Sequence, residues 1–250
     1  MRPEATCAIA VMAKAPRAGR VKTRLVPPLT PEGAMRMSAA FLRDITTNIA
    51  LAGAAKPISG WVAYAPAGLE ANFDGLLALG TQLLLADGEG DDMPGDVTGF
   101  GRCLLQATEA LFTRGFASVC VLNSDSPTLP TAILVRLAQL LAQPGERAVL
   151  GAAEDGGYYV LGMQRTHPRL FADIDWSTGE VAGQTRARAA ELGLELVELP
   201  LWYDIDDRVA LRRLLAGEPV RADGLLPYAA PATAACAAKL DLMGLLAAGA

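Results

Sequence analysis

The chain has little of what several functional classes require. It holds one histidine, His167, in a polar loop before Pro168, so histidine-rich metal sites are excluded and Ser124 and Ser126 lack a partner for triad chemistry. The four cysteines (Cys7, Cys103, Cys120, Cys236) include no Cys-x-x-Cys pair and predict free thiols in a reducing, cytoplasmic setting. No uncharged apolar run reaches the length of a membrane span, and Lys14 interrupts the first one too early for a secretory signal. Positive charge is short as well. With 22 Lys and Arg against 27 Asp and Glu, the net charge of -5 argues against a general nucleic-acid binder. What remains is an ordinary globular composition, and 250 residues suffice for one core without disulfide support.

Short apolar runs alternate with helical patterns along the chain. Strands are expected at Cys7–Ala13, Gly60–Ala65, Gln82–Ala86, Ser118–Asn123, Ala148–Ala152, Tyr158–Gly162 and Glu195–Leu199. Helices are expected near Pro31–Ala52, Gly101–Thr113, Thr131–Ala142, Glu180–Leu192 and Asp207–Ala216. Thr30 before Pro31 reads as an N-cap, Ser177 to Glu180 has capping-box spacing, and Asp206 can cap the helix after it. Such alternation predicts an α/β fold, a three-layer, doubly wound, mostly parallel sheet with helices on both faces. One domain is expected over residues 1–220. Residues 221–250 read as an extension whose Ala-rich part, broken by Lys239 and Asp241, docks as a helix. Gly88–Gly101 reads as a long surface loop.

Against the acidic background, one stretch is concentrated in positive charge. Lys14, Arg17, Arg20, Lys22 and Arg24 follow the first strand within a loop containing Pro16 and Gly19. Open α/β sheets place ligand phosphates at that position, so an anionic partner is expected. Gly19-x-x-Lys22-Thr23 resembles the end of a Walker P-loop, but the earlier glycine is missing, which removes the ATPase reading.

Acidic groups follow at later strand ends. Asp125, in Asn123-Ser124-Asp125-Ser126-Pro127, ends a buried run and suits a divalent cation bridging phosphates; the alternative is a turn or capping aspartate. Glu154-Asp155-Gly156-Gly157 makes a tight turn, readable as a plain hairpin or as a place where backbone nears a ligand. Asp204 and Asp206 alternate around Ile205, which would put both carboxylates on one face, although Asp206 or Asp207 also suits a cap.

In this order the motifs carry a resemblance. "MAKAPRAGRVKTRL" with "PPLTPEGA", then "LNSDSPTLP", "AAEDGGYYVLGM", "LFADIDWSTGEV" and "LPLWYDIDD" resemble a family of bacterial GT-A-type transferases. That family is related to nucleotide-diphospho-sugar transferases, and the first motif is also similar to that of phospholactate guanylyltransferase. The resemblance implies that Lys14, Gly19, Lys22, Arg24 and Ser124 bind the donor nucleotide. Asp125 would bind Mg²⁺ or Mn²⁺, with Asp206 completing the metal site. Asp155 and Asp204 would be catalytic, Gly156 and Gly157 would line the donor–acceptor crevice, and Trp176, Ser177 and Thr178 would form an acceptor-side loop. Where the family has a compact Gly-Asp-Leu-Gly-x-Arg-Met element, this chain has the longer Gly90–Cys103, with Arg102 as the expected replacement for the arginine.

The expected activity is therefore metal-dependent transfer from a nucleotide-activated donor, a sugar nucleotide or an NTP, to a small-molecule acceptor. Glycosyl transfer ranks ahead of nucleotidyl transfer, and a non-catalytic nucleotide-binding module is the third reading. Base, sugar, acceptor and oligomeric state are not readable.

Overall fold

The computed structural model describes residues 6–90, 93–217 and 224–248. Seven strands make one sheet: β1 (Cys7–Lys14), β2 (Ile58–Ala65), β3 (Gln82–Leu85), β4 (Ser118–Leu122), β5 (Arg147–Ala152), β6 (Tyr158–Met163) and β7 (Glu195–Glu198). Their spatial order is β3-β2-β1-β4-β6-β5-β7. β1 and β4 lie near the middle and are buried along their length except at Lys14, which explains why their sequences read as unbroken apolar runs.

Five helices follow the expected segments: α1 (Pro31–Gly53), α2 (Phe100–Thr113), α3 (Thr131–Leu141), α4 (Val181–Glu191) and α5 (Arg208–Ala216). α1 and α3 pack on one face of the sheet, through Met37, Phe41, Ile45, Ile133 and Leu137. α2 and α4 pack on the other through Leu104, Leu105, Leu111, Ala182 and Ala189. The Thr30 cap forms, its Oγ1 accepting from the Gly33 N–H at 3.0 Å.

Four details depart from the sequence reading. β6 runs antiparallel to both β4 and β5, because β5 and β6 form a hairpin, so the mostly parallel sheet is mixed. The Ser177 box does not form. Ser177 sits at φ 67°, and Thr178 Oγ1 donates to the Asp175 carbonyl instead. Asp206 does not cap α5; Asp207 does, accepting from the Ala210 N–H at 2.8 Å. Among its described residues the tail holds two helices, α6 (Pro231–Lys239) and α7 (Leu242–Ala248). The buried Asp44 carboxylate of α1 takes the Ala232 and Thr233 N–H groups at 3.0 and 2.7 Å, which ties α6 down at its positive end. The boundary expected at residues 220/221 falls outside the described residues. Among the described residues no helix is long and apolar enough to cross a membrane.

Candidate active site at the carboxyl edge of the sheet

The chain leaves β1 through α1 to β2 on one side, while β4 pairs with β1 on the other. Such a reversal of strand order opens a crevice beyond the carboxyl ends. A cavity of about 350 Å³ lies there, within the size range of small-molecule sites. Its walls bring together Lys14, Arg20, Lys22 and Arg24 from the β1–α1 loop, Ser124 and Asp125 from the end of β4, and Asp206. Gly19 (φ 71°) turns the loop at an exposed position away from these walls.

Lys14, Arg20 and Arg24 are exposed, whereas the Lys22 side chain is only 7% exposed. Its Nζ lies 2.7 Å from Asp125 Oδ1 and 2.8 Å from Asp206 Oδ1, and it donates to the Ile205 carbonyl at 2.8 Å. It also stands 5.3 Å from the centre of the Phe41 ring. Burial works against its charge, but Asp125 and Asp206 outweigh that and hold its pKa above the ordinary lysine value. The ammonium is thus held by two hydrogen bonds and one further ion pair.

The acidic side is built on residues 202–206, which are stitched between two strand ends. Glu154 N–H donates to the Trp202 carbonyl at 2.9 Å, Ser126 Oγ donates to the Tyr203 carbonyl at 3.0 Å, and Ile205 N–H donates to the Asp125 carbonyl at 2.8 Å. Tyr203 and Ile205 are buried, which turns Asp204 and Asp206 to the other face. Ser124 Oγ donates to Asp125 Oδ1 at 2.9 Å. Burial would raise the Asp206 pKa, yet Lys22, with Arg24, holds it below the ordinary value. Among the described residues Asp204 has no such partner. Burial first, then the charges of Asp155, Asp206 and Asp125, push it up to about 7.

Asp155 is exposed on the β5–β6 turn, where its Oδ1 accepts from the Gly157 N–H at 2.8 Å. Gly156 (φ 89°) lies against the backbone that leads into α4: a Cβ there would meet the Gly179 oxygen at 2.1 Å, and Ala182 N–H donates to the Gly156 carbonyl at 2.9 Å. Asp155, Gly156, Gly157 and Asp204 do not border the 350 Å³ cavity; Asp204 links them to it through its field on Asp125 and Asp206.

Some residues were placed differently by sequence reasoning, or missed. Arg102 donates to the Gly88 and Gly90 carbonyls at 2.7 and 2.9 Å and so ties down its own loop rather than facing a ligand; Asp91 and Asp92 of that segment lie outside the described residues. Phe100 was missed. It is 47% exposed, lines the cavity, and meets Trp176 edge-on at 5.7 Å. Its signal was its position between Gly99 and Gly101, since a Cβ on Gly101 would lie 2.9 Å from Trp176 Nε1. Trp176 in turn packs against Tyr158, while Ser177 and Thr178 are exposed. His167 stands at the opposite edge of the sheet, its Nε2 2.7 Å from Glu146.

As the side chains stand, no three His, Cys, Asp or Glu residues among those described are arranged to hold a metal ion. The donors nevertheless suit Mg²⁺ or Mn²⁺, which take oxygen ligands and need only one or two carboxylates beside substrate phosphates. The Lys22 ammonium itself shows that a cation is accommodated between Asp125 and Asp206.

A model of a bacterial protein family described as uncharacterized, DUF2064, matches residues 48–178. No curated protein matches the chain. Among solved structures, a Desulfovibrio desulfuricans G20 protein provisionally described as a nucleotide-diphospho-sugar transferase aligns with TM-score 0.76 and 24% identity over 96% of both chains. CMP:2-keto-3-deoxy-manno-octonic acid synthetase, solved with CTP, aligns with TM-score 0.53 and 12% identity over 86% of this chain and 100% of its own. Glucosyl-3-phosphoglycerate synthase from Mycobacterium tuberculosis, solved with Mn²⁺, UDP and glucosyl-3-phosphoglycerate, aligns with TM-score 0.51 and 12% identity, covering 87% and 82%. The fold is thus that of GT-A and nucleotide-diphospho-sugar transferase structures.

Proposed function

The chain belongs to the bacterial DUF2064 family, and we propose that it is a metal-dependent transferase that moves a sugar from a nucleotide-diphosphate donor to the hydroxyl of a small acceptor. The observation that carries this reading is one ligand-sized cavity with cations on the β1 side and aspartates on the β4 side. An anion alone would need only the cations. The fold shared with enzymes solved with CTP, or with Mn²⁺ and UDP, supports the same reading.

On this reading Lys14, Arg20 and Arg24 meet the donor's diphosphate, and their charge opposes the negative charge that builds on the departing phosphate oxygen. Asp125 and Asp206 would hold Mg²⁺ or Mn²⁺. Such an ion, when bound, supplies Lewis-acid stabilisation of that same charge. Asp204, with its raised proton affinity, is suited to take the proton of the acceptor hydroxyl, and exposed Asp155 to orient that acceptor. Phe100 offers an apolar face to the donor. Four free cysteines fit a reducing, cytoplasmic compartment.

Nucleotidyl transfer from an NTP is the second reading, favoured by the number of exposed cations beside β1, which would suit a triphosphate. A panel of NDP-sugars and NTPs with Mg²⁺ or Mn²⁺, read as release of nucleoside diphosphate or pyrophosphate, separates the two. Tight nucleotide binding without turnover of any donor would leave a non-catalytic binding module.

A further inference from the structure

Lys22 is the residue whose placement the proposed activity does not absorb. A phosphate ligand should present its ammonium to the cavity, yet that of Lys22 is turned to Asp206 and the Ile205 carbonyl as hydrogen-bond acceptors and to Asp125 as an ion-pair partner. It stands between the two carboxylates assigned above to the metal. Its backbone occupies the left-handed region at φ 49°, which a lysine adopts at a cost, so the surroundings must compensate. The long stem nevertheless borders the cavity where phosphates would sit.

We propose that Lys22 is a tethered cation that keeps divalent metal out of the ligand-free protein and surrenders Asp125 and Asp206 only when a nucleotide diphosphate offers its ammonium a new partner. The inference rests on the nucleotide reading of the cavity. Lys22 takes Oδ1 of both carboxylates, and its charge opposes a second cation beside them. A free metal ion must therefore displace Lys22, and its apparent affinity falls by the fraction of molecules in which Lys22 has already left. Phosphate oxygens draw the ammonium to themselves, and the vacated carboxylates then accept the metal. Each ligand strengthens the other by the same factor, as linkage requires. Lys22 is in this sense a positioning residue: it orders the binding of metal and donor, so that metal enters with the nucleotide and not before it.

The test measures Mn²⁺ binding by electron paramagnetic resonance in wild type and Lys22→Met, each alone and with UDP or GDP as probes. Methionine keeps the stem against Phe41 and removes only the charge. In wild type, nucleotide is expected to tighten Mn²⁺ binding about tenfold or more, within the usual range for coupled sites. Nucleotide-free Lys22→Met is expected to bind Mn²⁺ about tenfold or more tightly than nucleotide-free wild type, with the coupling to nucleotide largely lost. Melting gives a second readout: Mn²⁺ alone should raise the midpoint of Lys22→Met and leave wild type unmoved. Should Lys22→Met fail to fold, Lys22→Gln carries the same comparison. If removing the charge leaves nucleotide-free Mn²⁺ affinity unchanged or weaker, or if wild type binds Mn²⁺ equally with and without bound nucleotide, the proposal is overturned. If neither nucleotide binds wild type, the donor reading fails, while the comparison of nucleotide-free proteins still decides the role of Lys22.

Discussion

Lys22 and Arg147 are buried cations at opposite edges of one sheet, and they are held in opposite ways. Arg147 opens β5 at the amino edge. Its guanidinium donates to Glu195 at 3.1 Å, to Gln143 Oε1 at 2.6 Å, and to the Leu140 and Pro144 carbonyls at 3.2 and 3.0 Å. One cation meets one carboxylate there, and neutral oxygens take the remaining protons. Lys22 at the carboxyl edge meets two carboxylates, and Asp204 and Asp155 add negative charge that it does not reach. The first cluster is closed and holds β5, β7 and the end of α3 together. The second sets two carboxylates on one ammonium and leaves the partly buried Asp204 beside them with its proton affinity raised.

The largest expected effect falls on the carboxyl edge. Asp125→Ala should lower turnover of the preferred donor by about 100-fold or more in steady-state assays, since a bound metal supplies several kcal/mol of transition-state stabilisation. Activity kept in that variant would remove the distinction between the two edges. Arg147→Met should do the reverse: a loss of about 1–3 kcal/mol in urea denaturation, from buried acceptors left without donors, with turnover of the folded protein unchanged. A fall in its turnover would show that the amino edge is not merely structural.

Asp204→Asn tests the cost of a carboxylate that is partly buried beside Asp155, Asp206 and Asp125. Because the folded protein binds the Asp204 proton more tightly (pKa about 7 against an ordinary 3.8), the stability this group contributes is present at low pH and lost as pH rises through 7. The asparagine variant should therefore be more stable than wild type at pH 8 by about 1–2 kcal/mol, a figure reduced for partial exposure, and the gap should close toward pH 4. A gap that does not vary with pH would argue against the charge explanation. The smallest effect is the sharpest in sequence: Asp207→Ala, one residue from Asp206, should cost about 1 kcal/mol through the lost α5 cap and leave Mn²⁺ binding alone.

Most of the fold was legible because five of its seven strands are largely buried runs and its helices alternate with them. β1, expected over Cys7–Ala13, ends one residue later, and α1 is off by one at its end. The direction of β6 was not legible from periodicity, which carries no arrow; only the Asp-Gly turn hinted at the hairpin. Asp206 and Asp207 were both plausible caps, and the choice depended on Lys22, 184 residues away from Asp206 in sequence. Sequence located the charge of Lys22 but not the end of its stem. The raised proton affinity of Asp204 depends on several chain segments meeting, which no local pattern records.

The contact between Gly156 and Gly179 has a mechanical consequence. Main chain rests directly on main chain there, with no side chain between to act as a cushion. The turn bearing Asp155 and the stretch that starts α4 must therefore shift together or stay still. On the proposed reading, an acceptor entering beside Asp155 would meet a stiff jaw rather than a flexible finger. Its fit would then be decided by the side chains that flank this backbone seam, and a change of acceptor would be engineered there, with the seam left intact.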